Sequence, residues 1–173
     1  QRVAPMLALP LPSRAREAMT IRNPADQADV IGVVAAASVA DAAVAVGAAA
    51  ASGWASIPAG ERAGVLERAA DALEAEILAF IALLVREAGK TMPNAVGEVR
   101  EAVDFCRYYA EQARLELGSR AALGPIVCIA PWNFPLAIFM GQTVAALAAG
   151  NPVLAKPAEQ TPCLAAAVVA LLH

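Results

Sequence analysis

The chain has 173 residues, of which 59% are hydrophobic, and a formal net charge of −3. This length is enough for one domain with a hydrophobic core. The 13 lysine and arginine residues are scattered and form no basic stripe, so we expect no nucleic-acid binding by this segment.

The first part of the chain predicts an arm, a pair of strands and a helix. Residues 1–19 are rich in proline, which indicates a linker or an extended arm. Residues 20–36 contain two short extended runs around a turn. Ser38, followed by Asp41, resembles a capping box and starts a helix that ends near Gly53.

Two longer helices are expected next. Pro58 suits the first turn of a helix that ends at Gly89, and Pro93 opens another that ends near Gly118. In the first of them apolar residues recur at helical spacing: Leu66, Ala70, Leu73, Ile77, Ile81 and Leu84. We assign residues 20–118 to the mainly helical N-terminal part of a nucleotide-binding domain.

After Gly124 the pattern becomes strand, helix, strand, helix, at residues 126–130, 135–149, 152–156 and 161–172. Strands that alternate with helices of this length predict parallel β-α-β pairing. The fold class is therefore α/β, with N-terminal helices followed by the first β-α-β-α units of a Rossmann-like sheet. Residues 119–173 are the start of this sheet, which the chain truncates.

The first predicted strand leads into the sequence Pro-Trp-Asn-Phe-Pro at residues 131–135. The Asn133 amide can donate two hydrogen bonds and would suit an oxyanion that develops on a carbonyl substrate. Alternatively, Asn133 caps the following helix. Trp132 offers a flat wall for a ring or a ribose, or else packs in the core.

The second predicted strand ends at Lys156, and Glu159 follows in the next turn. These two side chains could bind the hydroxyl groups of a ribose, as acidic residues do in dinucleotide sites, or could simply be exposed loop charges. Because consecutive parallel strands end at the same edge, we expect Lys156 and Asn133 to share one cleft. The chain has neither a Gly-x-Gly-x-x-Gly nor a Walker-type sequence, so this prediction does not depend on a phosphate loop.

Other reactive side chains predict little chemistry. The only histidine is His173, which leaves no material for a histidine-based triad or a histidine-ligated metal site. The cysteines have apolar neighbours and are expected to be core thiols in a reducing compartment, although Cys163 lies in the first turn of a helix, which lowers a thiol pKa. Three acidic residues of the helix after Pro93 could face a substrate, but a solvated helix face is favoured for them: Glu98, Glu101 and Asp104.

The apolar content does not predict a membrane helix. The most apolar stretches, residues 77–85, 136–140 and 164–172, are far shorter than the roughly 20 residues that such a helix needs. The opening is interrupted by prolines, so no signal peptide is predicted. We expect a cytoplasmic protein, of which this chain is one piece.

The motifs resemble those of the NAD-dependent aldehyde dehydrogenase superfamily. They are Pro-Trp-Asn-Phe-Pro at 131–135, Ala-Gly-Asn-Pro-Val at 149–153 and Lys-Pro-Ala-Glu-Gln-Thr-Pro at 156–162. Further stretches are similar to the L-glutamate γ-semialdehyde dehydrogenase module of the bifunctional proline utilization A proteins: 22–26, 87–91, 98–105 and 134–139. The resemblance spans residues 20–173, about the first third of such a module.

The resemblance implies a role for each matching residue. Asn133 would donate to the thiohemiacetal oxyanion, and Lys156 and Glu159 would contact the adenosine ribose of NAD. The wall along the cofactor would be formed by Ile129, Ala130, Pro131 and Trp132. The family's nucleophilic cysteine and water-activating glutamate have no counterparts in this chain, so we expect that the chain alone does not turn over.

The expected parent is an enzyme that uses NAD to oxidise L-glutamate γ-semialdehyde, formed from pyrroline-5-carboxylate, to glutamate. The resemblance also implies an FAD-dependent proline dehydrogenase module upstream and a homo-oligomer. A free-standing semialdehyde dehydrogenase, an aldehyde dehydrogenase of other specificity and a non-catalytic lid or interaction domain remain alternatives. A membrane-associated helical bundle would rest on apolar content alone.

Overall fold

The structure, a computed structural model, describes residues 18–117 and 120–172. Strand β1 (Ala18–Asn23) pairs antiparallel with β2 (Asp26–Ala35), which confirms the two extended runs. The turn between them is stabilised by the Asn23 side chain, whose Oδ1 accepts from the Ala25 N–H at 2.9 Å. The predicted arm at 1–19 lies outside the described residues except for its last two, which belong to β1 and not to an arm.

Helix α1 (Val39–Ala50) starts at the predicted capping box, in which Ser38 and Asp41 bond each other's backbone. It is followed by a short 3₁₀ helix (Gly53–Ser56), so the predicted helix to Gly53 ends earlier. The stretch Val39–Ser56 is long and apolar enough to cross a membrane by length and composition, and 6% of it is buried. Its α-helical part has 12 residues, however, fewer than the roughly 20 of a membrane-spanning helix.

The single helix predicted between Pro58 and Gly89 is wrong, because the structure has two helices there, α2 (Ala59–Ala75) and α3 (Ile77–Ala88). The break falls at Glu76, whose φ of −101° and ψ of 18° leave the helical region. Gly89 ends α3 in the left-handed conformation with φ 65°, as predicted, where any other residue would be strained.

Helix α4 (Met92–Leu115) starts after Thr91, whose hydroxyl accepts from the Asn94 N–H. Its buried side consists mainly of small residues, and Cys106 is among them, which confirms a core position for this thiol. Helix α4 packs against α2, α3 and α5 (Ala137–Ala148). The close approach to α5 depends on Gly141, because a Cβ there would meet the Phe105 ring at 3.0 Å.

Strands β3 (Ile126–Ile129) and β4 (Val153–Lys156) form a parallel pair, with Ile126 opposite Val153 and Ile129 opposite Lys156. Helix α5 connects them and α6 (Pro162–Leu172) follows, so the α/β prediction is confirmed and the element ends agree within two residues. The assignment of residues 20–118 and 119–173 to two parts remains a prediction.

Helix α5 is bonded to the N-terminal helices at its C-terminal end. The Trp54 indole N–H donates to the Leu147 carbonyl at 2.9 Å, and the buried Arg62 donates from Nε to the Ala148 carbonyl at 3.1 Å. The last carbonyls of a helix have no partner within the helix. The Leu147 carbonyl also accepts from the Gly150 N–H at 3.0 Å, and Arg62 provides a partner for the Ala148 carbonyl. The end of the crossover is thereby fixed relative to α2.

Candidate functional site

Two loops that carry the sequence motifs leave the sheet side by side. Residues 130–136 follow β3 and are called the first motif loop, and residues 157–161 follow β4 and are called the second motif loop. The Ala130 N–H donates to the Lys156 carbonyl at 3.0 Å, so the parallel pairing continues up to the start of both loops. The motifs therefore begin at the same edge, where open parallel sheets hold their ligands.

Asn133 is exposed, and its side chain has no hydrogen-bond partner among residues 18–117 and 120–172. The alternative that it caps α5 is wrong, because the residue at the cap position is Leu136. The N–H groups of Leu136 and Ala137 instead donate to Oε2 of Glu98, at 3.1 and 3.3 Å. The Asn133 amide is thus left free to donate to another molecule.

Glu98 itself departs from the sequence prediction of a solvated helix face, since it is only 2% exposed. Its Oε1 forms an ion pair of 2.7 Å with Nζ of Lys90, which is itself mostly buried. The same ammonium lies 4.3 Å from the centre of the Phe134 ring, within the range of a cation–π contact. Glu101 and Asp104, in contrast, are exposed as expected.

A cavity of about 310 Å³ opens beside the first motif loop. It lies between this loop and the start of α4, and Phe134, Lys90 and both Glu98 and Glu101 line it. Glu101 therefore borders a space next to the loop that carries Asn133.

At the end of the second motif loop, a glutamate carboxylate accepts backbone hydrogen bonds in a similar way. The N–H groups of Cys163 and Leu164, in the first turn of α6, donate to the two carboxylate oxygens of Glu87, each at 2.7 Å. Burial raises the pKa of the Glu87 carboxyl, and the two backbone hydrogen bonds lower it in part. Helix α6 starts at Pro162, one residue after the start expected from the sequence, and the buried Thr161 hydroxyl has no hydrogen-bond partner among the described residues.

Lys156 and Glu159 are both exposed. The Lys156 ammonium donates to the neighbouring Pro157 carbonyl at 3.0 Å, and the Glu159 carboxylate has no partner in the described part of the chain. An exposed donor and an exposed acceptor at the end of a parallel strand fit the hydroxyl groups of a ribose. Exposed loop charges would look the same, so the cofactor contact stays a prediction.

The residues predicted to line the cofactor differ in exposure. Ile129 and Trp132 are 63% and 56% exposed, Pro131 is half-buried and Ala130 is buried. The exposure of Trp132 makes the core-packing alternative wrong for this residue. Its indole is available as a surface beside the first motif loop, as a cofactor wall requires.

None of the three thiols is activated as a nucleophile. Burial raises the pKa of Cys106 to about 12 and also raises the pKa of Cys128. Burial and the neighbouring Glu87 carboxylate raise the pKa of Cys163 to about 11, so its position in a helix's first turn does not lower it. The described residues also contain no group of three side chains that could hold a metal ion.

Comparisons with known proteins agree on one family. The model of the aldehyde dehydrogenase family matches residues 11–173. The bifunctional protein PutA of Klebsiella aerogenes is 52% identical over 97% of this chain, and the chain spans 13% of that protein. The 1-pyrroline-5-carboxylate dehydrogenase of Anoxybacillus flavithermus is 42% identical over 87% of this chain, which spans 32% of that enzyme.

Solved structures give the same result. A proline utilization A protein of Bradyrhizobium japonicum superposes with a TM-score of 0.77 at 53% identity, over 81% of this chain and 16% of its own. A 1-pyrroline-5-carboxylate dehydrogenase from Thermus, solved with bound NAD, superposes with a TM-score of 0.87 at 35% identity, over 92% of this chain and 34% of its own. The chain belongs to the aldehyde dehydrogenase family.

Proposed function

We propose that the protein that carries this chain oxidises L-glutamate γ-semialdehyde to glutamate with NAD. One observation carries the proposal: the free Asn133 amide and the exposed pair Lys156 and Glu159 follow neighbouring parallel strands at one edge of the sheet. The relatives named 1-pyrroline-5-carboxylate dehydrogenase and PutA support the choice of substrate. The Thermus relative with bound NAD supports the choice of cofactor.

In this proposal each motif residue has one task. The Asn133 amide donates to the oxygen of the aldehyde as negative charge develops on it, and an uncharged donor fixed in place lowers the energy of that state. Lys156 and Glu159 hold the ribose hydroxyls of NAD, with the side chains of Ile129 and Trp132 along the cofactor. Bound NAD would accept the hydride from the substrate.

The nucleophile and the base that activates water come from outside this chain. The raised pKa values of all three cysteines support this, because only a thiolate attacks an aldehyde efficiently. We therefore infer that the chain by itself does not turn over and that it forms the start of a larger dehydrogenase module. The relatives named PutA are bifunctional. From the sequence resemblance we also propose an FAD-dependent proline dehydrogenase module upstream, a cytoplasmic location and a homo-oligomer.

The test is an NADH-formation assay of the full-length protein with L-glutamate γ-semialdehyde and, in parallel, with simple aliphatic aldehydes. The proposal predicts the highest kcat/KM for the semialdehyde. A higher kcat/KM for another aldehyde would assign a different specificity. No NADH with any aldehyde, from a protein that is folded, would favour a non-catalytic domain instead.

A further inference from the structure

The N–H groups at the start of α5, just after the first motif loop, are hydrogen-bonded in an unusual way. The first N–H groups of a helix have no partner within the helix, and a Ser, Thr, Asp or Asn just before the helix usually satisfies them. Before α5 the sequence is Pro-Trp-Asn-Phe-Pro-Leu, in which Asn133 is the only side chain with a carbonyl oxygen that could do so. If nothing else bonded these N–H groups, the local sequence would favour Asn133 as their acceptor.

Glu98, on helix α4, accepts hydrogen bonds from these N–H groups in place of Asn133. Its Oε2 accepts from the N–H groups of both Leu136 and Ala137, while its Oε1 pairs with the Lys90 ammonium. A carboxylate that is only 2% exposed is costly unless it is paired and hydrogen-bonded. Here Oε2 accepts the two hydrogen bonds and Oε1 is held by the ion pair alone. The buried charge therefore replaces Asn133 as the cap.

Lys90 links the Glu98 carboxylate to Phe134, the residue that follows Asn133. Its ammonium, paired with Glu98, lies 4.3 Å from the centre of the Phe134 ring. The backbone on the C-terminal side of Asn133 is thus held at two points, by the ring of Phe134 and by the N–H of Leu136. Both points depend on one carboxylate.

We propose that Glu98, together with Lys90, is a positioning residue that keeps the Asn133 amide free and directed away from the helix, toward the developing oxyanion. This inference rests on the oxyanion role proposed for Asn133. Glu98 touches neither substrate nor cofactor in it and acts only through the first motif loop. Glu87 is the counterpart for the second motif loop, since it bonds the start of α6 in the same way.

The experiment is a double-mutant cycle in the full-length enzyme with the variants Glu98→Gln and Asn133→Ala. In E98Q the amide places an NH₂ group where Lys90 needs an acceptor, so the pair is broken and the cap weakened. A donor displaced by about 1 Å can cost up to about a hundredfold in rate, so we expect kcat to fall at least tenfold, roughly, with little change in the KM for NAD. In the N133A background E98Q should cause almost no further loss, because the group it positions is gone.

Two comparisons make the result specific. Glu87→Gln should mainly raise the KM for NAD, because it loosens the loop after Lys156 and leaves the first motif loop in place. Glu67→Gln is the matched control: it breaks an exposed ion pair with Arg114 far from both loops in sequence and should leave kcat and both KM values unchanged.

The outcomes separate this inference from the proposed function. If N133A lowers kcat and E98Q lowers it by the same factor with or without Asn133, Glu98 has only a structural role and the inference is wrong, while the oxyanion role stands. If N133A itself leaves kcat unchanged, the proposed function fails first. Should E98Q not fold, the same cycle with Lys90→Met decides, since this variant removes the ammonium that pairs with Glu98 and contacts the Phe134 ring. The loss of kcat that it causes must also disappear in the N133A background.

Discussion

The replacement Asn133→Ala is the most direct test of the candidate site. Loss of one oxyanion donor typically lowers kcat by about a hundredfold to a thousandfold, or about 2.7–4 kcal/mol of transition-state stabilisation. Asn133 is exposed and bonds none of the described residues, so the free energy of unfolding should change by no more than about 0.5 kcal/mol. The expected result is therefore a large loss of turnover in a protein that is as stable as the wild type.

The assay is steady-state NADH formation by the full-length enzyme, accompanied by thermal unfolding of each variant. Gln142→Ala is the matched control, because Gln142 is another exposed carboxamide, on α5, that bonds none of the described residues. It should retain both turnover and stability. Turnover of N133A close to that of Q142A would refute the oxyanion role, and a stability loss large enough to explain the kinetics would refute the structural reasoning.

Three further predictions follow from the remaining contacts. Lys156→Ala should raise the KM for NAD about tenfold or more, with a smaller effect on kcat, as measured by initial rates at varied NAD, because it removes a charged hydrogen-bond donor from the ribose site. The Arg86 guanidinium lowers the pKa of Asp29 from 3.8 to about 2. The ionised carboxylate therefore stabilises the hairpin above pH 3.8, and this stabilisation is lost as the pH falls toward 2. In urea unfolding, the difference in the free energy of unfolding between wild type and Asp29→Asn should shrink over the same pH range. Burial raises the pKa values of Cys106 and Cys128, and burial together with the Glu87 carboxylate raises that of Cys163, so these three thiols should react slowly with a thiol reagent at neutral pH and rapidly after unfolding. Fast labelling of any of these three in the folded protein, located by mass spectrometry, would contradict the reasoning.

Much of the fold was predictable from local patterns. The alternation of apolar runs and helical stretches after Gly124 predicts a parallel pair, and the structure places Ile129 opposite Lys156, so that the two motif loops start together. The capping box at Ser38 and the stop at Gly89 are each set by one or two residues and are also confirmed. The helix break at Glu76 was missed because the apolar spacing continues through it.

Local patterns did not predict the residues that support the loops, Glu87, Lys90 and Glu98, and favoured a solvated position for Glu98. They act across long separations in the chain, where no local pattern predicts a contact. One signal was available for Glu98: it lies on the same helical face as Ala95 and Ala102, which are buried, so its position in the apolar stripe pointed to a buried carboxylate. Its partners could not be inferred without the packing of α4 against α5.

The attachment of α5 at both ends has a consequence for any reaction at its start. Trp54 and Arg62 hold the last carbonyls of the helix, and Glu98 holds its first N–H groups. Such a helix has little freedom to rotate or slide when charge develops beside it. The amide dipole of Asn133, just before the helix, therefore needs almost no reorganisation energy to stabilise that charge. Stiffness in the crossover, and not only the chemistry of an amide, would then determine how strongly an oxyanion is stabilised.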